Sequence, residues 1–345
     1  MQLYLTASLL LLAVLGGCGK DRNEISDKEI SSMAGVSCST TDTDADNKPA
    51  QDEKTPGFWE RKIGGKRGNI SVSKDRKTIY VHNWVNVNEL SNKRTKKAEK
   101  IIFCNDAGII VDYEDEILYH SRLWSAPRIK ELEVEKGNPF LYEEDGMLIQ
   151  RAGVGLDNDH VMEHETLLLC NPGKKGKVKI PENVQIIDDC AFWGCSGITS
   201  VFLPASIQVV GNAAFGNMKS CISIETDNKN KFYYSKDGVL YGQPSASISQ
   251  RPNIAAYPSG KTDPVYDKAP EYIEEIHEGA FLGAVHLQEV YLPSRVRVIR
   301  DAAFQNCKNL QKVVVKNKKR ISFVEGNAFD DCPKLKERVK DKYEF

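Results

Sequence analysis

Apolar and polar residues follow the same order twice in succession between residues 178 and 223. The two copies, residues 178–200 and 201–223, are each 23 residues long. Each carries a Pro, an aliphatic pair, an Ala-Phe dipeptide, a small apolar residue and a final aliphatic residue. A repeat at fixed spacing predicts a stacked array, in which each unit buries its apolar side chains against its neighbours.

The Ala-Phe dipeptide recurs later in the chain and marks further units. The Phe anchors are Phe192, Phe215, Phe281, Phe304 and Phe329, and a degenerate earlier unit has Leu123 in this place. Each unit continues into a segment of alternating apolar residues, such as Ile198-x-x-Val201-x-Leu203. Alternation predicts a strand with every second side chain in the core. The residues between the last two core positions then point outward; they are Glu133, Phe202, Glu225, Tyr291 and Val314.

Two insertions interrupt the array. The gaps before Phe192 and Phe281 are 69 and 66 residues, whereas the other anchors stand 23 to 25 residues apart. Both gaps contain an Asp-Gly dipeptide between apolar stretches, at Asp145-Gly146 and Asp237-Gly238. Asp-Gly in this setting signals a tight turn between strands. We predict that each insertion forms two or more paired strands that project from the array.

Short apolar segments bounded by Gly, Asn and Asp predict strands ahead of the array as well. They are Ile70–Ser73, Thr78–Leu90, Ile101–Cys104 and Ile109–Asp112. Residues 57–115 are therefore expected to form a β-rich N-terminal cap over the open end of the core. Residues 18–56 are polar and poor in aliphatics, and are expected to form a tether with a short helix near Glu24–Met33.

The pattern IPxxVxxIxxxAFxxCxxLxxVxLP, interrupted by DGVLY and YP-G-K segments, resembles the BspA-like leucine-rich repeats of bacterial surface lipoproteins. The resemblance covers about residues 123–338, so residues 116–338 are assigned to the repeats and 339–345 to a C-terminal tail. It implies an α/β solenoid: a right-handed leucine-rich-repeat superhelix with β-hairpin insertions, exported, with protein-binding or adhesive roles. The chain departs from the family pattern in two ways: residues 57–115 do not match the repeat, and the array is short. The first departure leaves open a second activity in residues 57–115.

The N-terminus predicts export and a lipid anchor. An apolar run from Leu3 to Leu15 has the length of a signal-peptide core and ends in Leu15-Gly16-Gly17-Cys18, the form of a lipobox. Residues 1–17 are then a signal peptide and Cys18 carries the acyl chains, which together anchor the chain stably. The alternative is an ordinary signal peptide, and no Lys or Arg precedes the core. The expected location is the cell envelope, as an outer-membrane lipoprotein exposed at the surface.

The amino-acid composition limits the classes of partner that the chain is expected to bind. The formal net charge is −1, so no global field steers the chain to nucleic acid or to a membrane. A local excess of positive charge does occur in residues 60–100, which hold 12 Lys or Arg against 4 Asp or Glu. A solvated face, or a patch that meets anionic surface polymers, is favoured there over nucleic acid. The Gly-Lys runs at residues 64–68 and 173–177 lack phosphate-loop spacing and are predicted to be turns.

The cysteines are predicted to be core residues. Cys195, Cys307 and Cys332 share one column of the repeat with Met218 and Ala284, and Cys221 lies in the neighbouring aliphatic column. Residues that exchange with Met and Ala fit a buried ladder of small apolar side chains better than a metal site. Disulfide bonds remain an alternative outside the cytoplasm.

Two short motifs imitate metal sites, and we predict no metal at either. Residues 160–164 match the H-x-x-E-H string of a zinc peptidase class, but they precede a predicted strand in an insertion that recurs without them. Residues 42–53 imitate a calcium loop, but Asn47 stands where Gly is required and Pro49 where an aliphatic residue should pair.

The function favoured by the sequence is binding without catalysis. A protein or glycan ligand would meet the outward residues, where Phe202, Tyr291 and Val314 would form an apolar stripe, typical of binding surfaces. The alternative is that the insertions or the cap cover them. We expect a monomer with no cofactor. Two other functions stay open: a structural partner of an envelope complex, and a hydrolase seated in residues 57–115.

Overall fold

Parallel strands stacked in successive turns of a solenoid dominate the computed structural model. It describes residues 62–63, 66–67, 69–86, 97–110, 129–153, 163–244 and 251–335. The strands, in chain order, are β1 Lys62–Ile63, β2 Lys66–Arg67, β3 Ile70–Val72, β4 Thr78–Val81, β5 Trp84–Asn86, β6 Lys100–Phe103, β7 Gly108–Ile110, β8 Glu131–Val134, β9 Leu141–Glu144, β10 Met147–Gln150, β11 Thr166–Cys170, β12 Lys175–Lys179, β13 Ile186–Ile187, β14 Gly197–Leu203, β15 Val209–Val210, β16 Ser223–Thr226, β17 Tyr233–Lys236, β18 Val239–Gly242, β19 Asn253–Ala256, β20 Val265–Tyr266, β21 Glu275–Ile276, β22 Glu289–Leu292, β23 Val298–Ile299, β24 Lys312–Val315 and β25 Phe323–Val324.

Apart from the β1-β2 pair, the strands fall into two sets. The repeat sheets, β3-β4-β6-β8, β12-β14-β16 and β20-β22-β24, contain the strands with alternating apolar residues. The back sheets are β5-β7, β15-β13-β11-β10-β9 and β17-β18-β19-β21-β23-β25. One buried cluster contains Val178 and Val201 of a repeat sheet together with Ile187 and Val210 of a back sheet. Each turn therefore gives one strand to each set, and the core lies between them.

The turns that carry the Ala-Phe anchors are not helices, so the α/β part of the predicted fold class is wrong. The backbone N–H of Phe192 donates to the carbonyl of Ala214 in the next turn, at 2.8 Å, instead of to a carbonyl four residues back. Cys190 and Gly194, at the two ends of this turn, have left-handed backbones with φ of 58° and 71°. Within the described residues, the 3-10 segment Lys318–Arg320 is the one helical element. The fold is a β-solenoid.

The two insertions do not project from the array as predicted. In each, an antiparallel pair precedes a third strand, β11 or β19, which pairs in parallel with the next short strand of the back sheet. All residues of β10, β11, β18 and β19 are buried. The hairpins are therefore part of the core, and they enlarge the back sheets instead of standing free.

The hairpin turns interrupt the repeat sheets. The carbonyl of Gly238, in the turn between β17 and β18, accepts a hydrogen bond of 2.9 Å from the N–H of Ile224 in β16. The hydroxyl of Ser235 donates to the carbonyl of Ile224 at 2.7 Å. These bonds occupy backbone groups of β16 that would otherwise meet a following strand, which explains why β20 begins a new sheet.

The parallel ladder extends into residues ahead of the recognisable repeats. β4, β6 and β8 are parallel neighbours, with Thr78 opposite Lys100 and Lys100 opposite Glu131. β3 runs antiparallel to β4 at the outer edge of this sheet. The predicted strand Thr78–Leu90 divides into β4 and β5, because Asn83 between them has a left-handed φ of 54°.

The Phe column is the core that the repeats predict. Phe281 and Phe304 stack with ring centroids 4.7 Å apart, and Phe304 and Phe329 stack at 5.2 Å. Phe192 and Phe215 form a separate stacked pair at 5.3 Å. All five side chains are buried. Stacked aromatic pairs add to the free energy gained from burial.

The cysteine ladder is also confirmed as core. Seven cysteines lie within the described residues, and all are buried free thiols. The thiols of Cys195, Cys307 and Cys332 donate to backbone carbonyls of earlier turns, those of Cys170, Phe281 and Phe304. A thiol in this column thus fills space and also satisfies a carbonyl, which Ala284 in the same column cannot do.

Candidate binding face

The repeat sheets place the five predicted residues away from the core. Glu133 and Glu225 are exposed, whereas Phe202, Tyr291 and Val314 are half-buried. Phe202 stands opposite Glu225 in one sheet, and Tyr291 stands opposite Val314 in the next. Glu133 lies in β8, in a third sheet. The register thus brings two pairs together, but Phe202 and Tyr291 belong to different sheets.

Lysine side chains lie against both outward rings. The ammonium of Lys179 is 5.8 Å from the ring centroid of Phe202, and that of Lys312 is 5.0 Å from the ring centroid of Tyr291. Cations at this distance are attracted to the face of an aromatic ring. The outward face therefore presents aromatic rings beside positive charges, and not the bare apolar stripe that the sequence suggested.

Tyr291 belongs to a small polar network. Its hydroxyl donates to Oε2 of Glu289 at 2.5 Å, and the Lys312 ammonium donates to the Tyr291 hydroxyl at 3.0 Å. The Tyr291 hydrogen bond, with the charge of Lys312, lowers the pKa of Glu289. The bond to Tyr291, with the charge of Glu289, raises the pKa of Lys312. The ring is thus held in one orientation on the sheet.

Glu133 is paired with a lysine of the preceding strand. The ammonium of Lys100 lies 2.5 Å from Oε2 of Glu133 and 3.6 Å from Oε2 of Glu131. The Glu133 hydrogen bond is the main cause of a raised pKa for Lys100. Lys100 of β6 therefore partly offsets the outward charges of Glu131 and Glu133 in β8.

β12 displays lysines, and it falls where the sequence predicted a turn. The Gly-Lys run at residues 173–177 turns only at Pro172 and Gly173, and Lys175 begins the strand. Lys175, Lys177 and Lys179 are exposed, whereas Val178 between the last two is buried. This arrangement follows from the two-residue period of a strand, in which alternate side chains share one face.

A cluster of acids at one corner of the solenoid escaped the sequence analysis. Burial raises the pKa of Glu278 to about 9, with the charges of Asp189 and Asp301 adding to the shift. Burial also raises the pKa of Asp188 to about 8, with Asp189 as the next cause. Asp188 and Asp189 follow β13, Glu278 follows β21 and Asp301 follows β23, and the spacing of 23 residues between Glu278 and Asp301 is the signal that could have identified them.

A histidine of the N-terminal region lies between possible nucleophiles and an acid. Nε2 of His82 is 3.3 Å from the Ser71 hydroxyl and 4.0 Å from the Cys104 thiol, and Nδ1 is 3.9 Å from Asp106. A catalytic triad needs contacts of about 2.6 to 3.2 Å. Burial raises the pKa of Cys104 to about 12, the opposite of an activated thiolate.

The remaining candidate motifs fall mostly outside the described residues. Cys18, the calcium-like residues 42–53 and residues 160–162 of the H-x-x-E-H string are in that group, as are residues 64–65 and 68 of the first Gly-Lys run. In the part of the chain that the structure covers, no group of three or more His, Cys, Asp or Glu is placed to hold a metal ion. No helix in that part is long and apolar enough to cross a membrane.

Comparison with known proteins identifies the repeats. The model of the BspA-type leucine-rich repeat region matches six copies, in residues 171–249 and 266–340. No curated protein matches the chain.

Several solved structures are similar to this chain. A leucine-rich cell surface protein from Faecalibacterium prausnitzii is 16% identical, covering 82% of this chain and 88% of that chain, with a TM-score of 0.42. A leucine-rich repeat protein from Eubacterium ventriosum is 15% identical, covering 77% and 80%, with a TM-score of 0.41. The pneumococcal vaccine antigen PcpA is 12% identical, covering 82% and 81%, with a TM-score of 0.40. The six matched copies thus identify residues 171–249 and 266–340 as BspA-type leucine-rich repeats.

Proposed function

We propose that this chain is a lipid-anchored, non-enzymatic binding protein of the cell envelope, which captures a protein or glycan ligand on the outward face of its repeat sheets. The observation that supports this most is the position of Phe202 and Tyr291. Both rings are half-buried on strands whose alternate side chains form the core, and each lies beside a lysine. Aromatic rings with adjacent charges are typical of recognition surfaces.

Binding is tested with the mature chain, residues 18–345, applied to a glycan array and to a protein microarray. The double variant Phe202→Asp/Tyr291→Asp should lose the signals that the unmodified chain gives. Phe323→Asp is the control, because Phe323 is an aromatic residue at the surface, 41% exposed, that lies in a back sheet. Signals unaffected by the double variant, with its fold intact by unfolding, would contradict binding through this face.

The proposed anchor rests on the lipobox that ends at Cys18. In the native bacterium, Cys18→Ser should abolish labelling by radioactive palmitate and move the protein from the membrane fraction to the soluble fraction. Cys38→Ser is the control and should stay labelled. Protease treatment of whole cells then separates an outer-membrane protein exposed at the surface from one that faces the periplasm. An unlabelled wild-type protein would contradict lipidation.

The alternatives of a structural role and a hydrolase differ in what they predict. The hydrolase alternative has one supporting observation, the approach of Ser71 and Cys104 to His82. A binding protein should show no labelling by fluorophosphonate or iodoacetamide that depends on His82. Labelling of Ser71 or Cys104 that His82→Ala removes would favour the hydrolase. A purely structural partner would give no array signal and would co-purify with an envelope complex.

A further inference from the structure

The exposed lysines of β12 form a row on the outward face. Lys175, Lys177 and Lys179, here called the lysine row, are all exposed on one strand, and Val178 is buried beneath them. Alternate side chains of a strand share one face. The row therefore offers three positive charges on one face of β12, with a register shift and the left-handed Gly176 between the first two.

Among the described residues, two of the three lysines have no acidic partner. The ammonium of Lys179 lies 2.8 Å from Oε1 of Glu182, which lies just beyond the strand. Lys174, before the strand, is paired with Asp145. Across the described residues, no carboxylate lies within ion-pair distance of Lys175 or Lys177, so these two ammonium groups are available to an incoming anion.

The neighbouring strand completes a shallow polar surface beside the row. Ser200 stands opposite Lys177, and Phe202 stands opposite Lys179. Gly197 stands opposite Lys175, and a Cβ there would lie 2.7 Å from the carbonyl oxygen of Lys174. The surface therefore has no side chain beside Lys175, the hydroxyl of Ser200 beside Lys177, and the ring of Phe202 beside Lys179.

The fold does not require lysines here, as the chain's own second unit demonstrates. β20 follows the second hairpin as β12 follows the first, and Tyr266 is buried there where β12 has Val178. Val265 precedes Tyr266 and Asp267 follows it, in the places of Lys177 and Lys179. β20 is a shorter strand that forms two of these pairs with a neutral residue in the place of Lys177, so pairing at that position does not require a lysine.

The chemistry of this surface favours one class of partner over another. The exposed large hydrophobic residues of the described part of the chain are Ile222, Val265, Tyr272 and Phe323, and none lies in β12 or β14. A protein interface of useful affinity needs a desolvated apolar centre, which is missing here. Spaced cations, a hydroxyl and one ring instead match an extended polymer whose anionic groups alternate with hydroxyls and with the C–H faces of sugar rings.

We infer that the face formed by the lysine row, Ser200 and Phe202 binds a linear polysaccharide that carries carboxylate or sulfate groups. The inference deepens the proposed function and rests on it. The anionic groups would pair with Lys175 and Lys177, the hydroxyl of Ser200 would bond to a sugar hydroxyl, and a ring face would pack on Phe202. Binding through exposed ion pairs is screened by salt, so affinity should fall steeply as ionic strength rises.

The test measures binding of the mature chain to immobilised polygalacturonate, dextran sulfate and neutral dextran, at low and at physiological salt. We expect binding to one or both anionic polymers and none to dextran; the two anionic polymers separate a carboxylate preference from a sulfate preference. Lys175→Ser/Lys177→Ser should weaken binding about tenfold, because two exposed ion pairs of modest strength are lost. Phe202→Leu should weaken it further without changing its salt dependence.

The matched control is Lys318→Ser/Lys319→Ser, which removes the same charge from exposed residues of the 3-10 segment. Equal loss in both double variants would mean attraction to net charge alone and would overturn the inference. Equally tight binding of poly-L-glutamate would overturn it in favour of an acidic protein partner. No binding to either anionic polymer, with array signals that depend on Phe202 and Tyr291, would overturn the inference and leave the proposed function standing.

Discussion

Asn138 and Asn230 occupy the same place in the two hairpins, 92 residues apart, and their side chains make the same four hydrogen bonds. Both are almost fully buried, at 5% and 6% exposure. The Asn230 amide donates to the carbonyls of Pro204 and Ile207 at 2.9 and 3.0 Å, and its oxygen accepts from the N–H groups of Phe232 and Tyr233 at 2.9 and 2.8 Å. One side chain thus joins the preceding turn of the solenoid to the first strand of each hairpin.

Replacing Asn230 should destabilise the chain strongly. Asn230→Ala leaves two carbonyls and two N–H groups in a buried place without their partner, and each such group costs about 1 to 3 kcal/mol. We expect a loss of about 3 kcal/mol or more in the free energy of unfolding, measured by denaturant titration. Asn230→Asp should be as damaging, because an ionised carboxylate accepts hydrogen bonds but donates none.

The control is Asn228→Ala, two residues away on the exposed part of the same loop. It should change the free energy of unfolding by no more than about 0.5 kcal/mol. An Asn230→Ala protein as stable as this control would mean that the hairpin is held by its apolar strands alone.

Truncation of Phe304 should also be costly. Its ring is fully buried between Phe281 and Phe329, so Phe304→Ala removes two stacking contacts and leaves a cavity. Such a change costs about 3 to 5 kcal/mol. Thermal and denaturant unfolding would measure the loss, with Phe323→Ala, at a ring that is 41% exposed, as the control. Equal stability of the two variants would refute the Phe column as the core.

Gly279 is expected to tolerate no side chain. Its φ is +64°, and an added Cβ would lie 2.6 Å from the Cβ of Ala213 and 2.7 Å from its Cα. Gly279→Ala therefore combines backbone strain with a backbone clash, and should cost about 2 to 4 kcal/mol of unfolding free energy. Gly326→Ala is the matched control, because an added Cβ there meets no atom within 4 Å. Similar unfolding midpoints for both variants would contradict the close approach of these two turns.

Stability should fall as the pH rises, because of the corner acids. Burial raises the pKa of Glu278 from 4.5 to about 9, so this carboxyl group is protonated in the folded chain at neutral pH. The unfolded chain loses that proton near pH 4.5, and the folded chain retains it until about pH 9. The contribution of protonated Glu278 to the free energy of unfolding is therefore complete below about pH 4.5. It is lost progressively as the pH rises towards 9.

Glu278→Gln tests this dependence, since an amide keeps the shape of the protonated acid and has no proton to lose. The variant should be more stable than the parent at pH 8, and its unfolding free energy should vary less between pH 5 and pH 8. Glu144→Gln, at an exposed glutamate, should follow the parent at both pH values. Parallel curves for Glu278→Gln and the parent would show that Glu278 is ionised in the folded chain.

The core of the repeats could be predicted from the sequence because each unit repeats its apolar columns. Phe304, Cys307 and Leu310 recur at fixed offsets in the neighbouring units, and periodicity alone assigns them to the interior. The outward direction of Phe202 follows from the same alternation. The lysine that lies over this ring could not be predicted, because Lys179 is one turn earlier and its conformation depends on contacts between turns.

The hairpins were mispredicted although a signal was present. β11 is the run Thr-Leu-Leu-Leu-Cys, and a strand that is apolar at nearly every position is typical of burial on both faces. The expectation of helices failed for another reason. The segment from Cys190 to Gly194 is too short for a stable helix, and its end residues adopt left-handed backbones that no sequence rule for Cys predicts. The roles of Asn138 and Asn230 could not be predicted from the apolar pattern, because both residues are polar.

The hairpins of the back sheets determine how many residues must be added or removed to lengthen or shorten the solenoid by one module. Each one closes the repeat sheet before it and opens the next, so a hairpin with its following turns is a self-contained module of 92 residues, counted from Asn138 to Asn230. A deletion that joins Gly137 directly to Asn230 removes one whole module, and the same asparagine contacts can form at the new junction. Recombination between these two points would change the reach of the molecule in fixed steps and would not expose an unpaired strand.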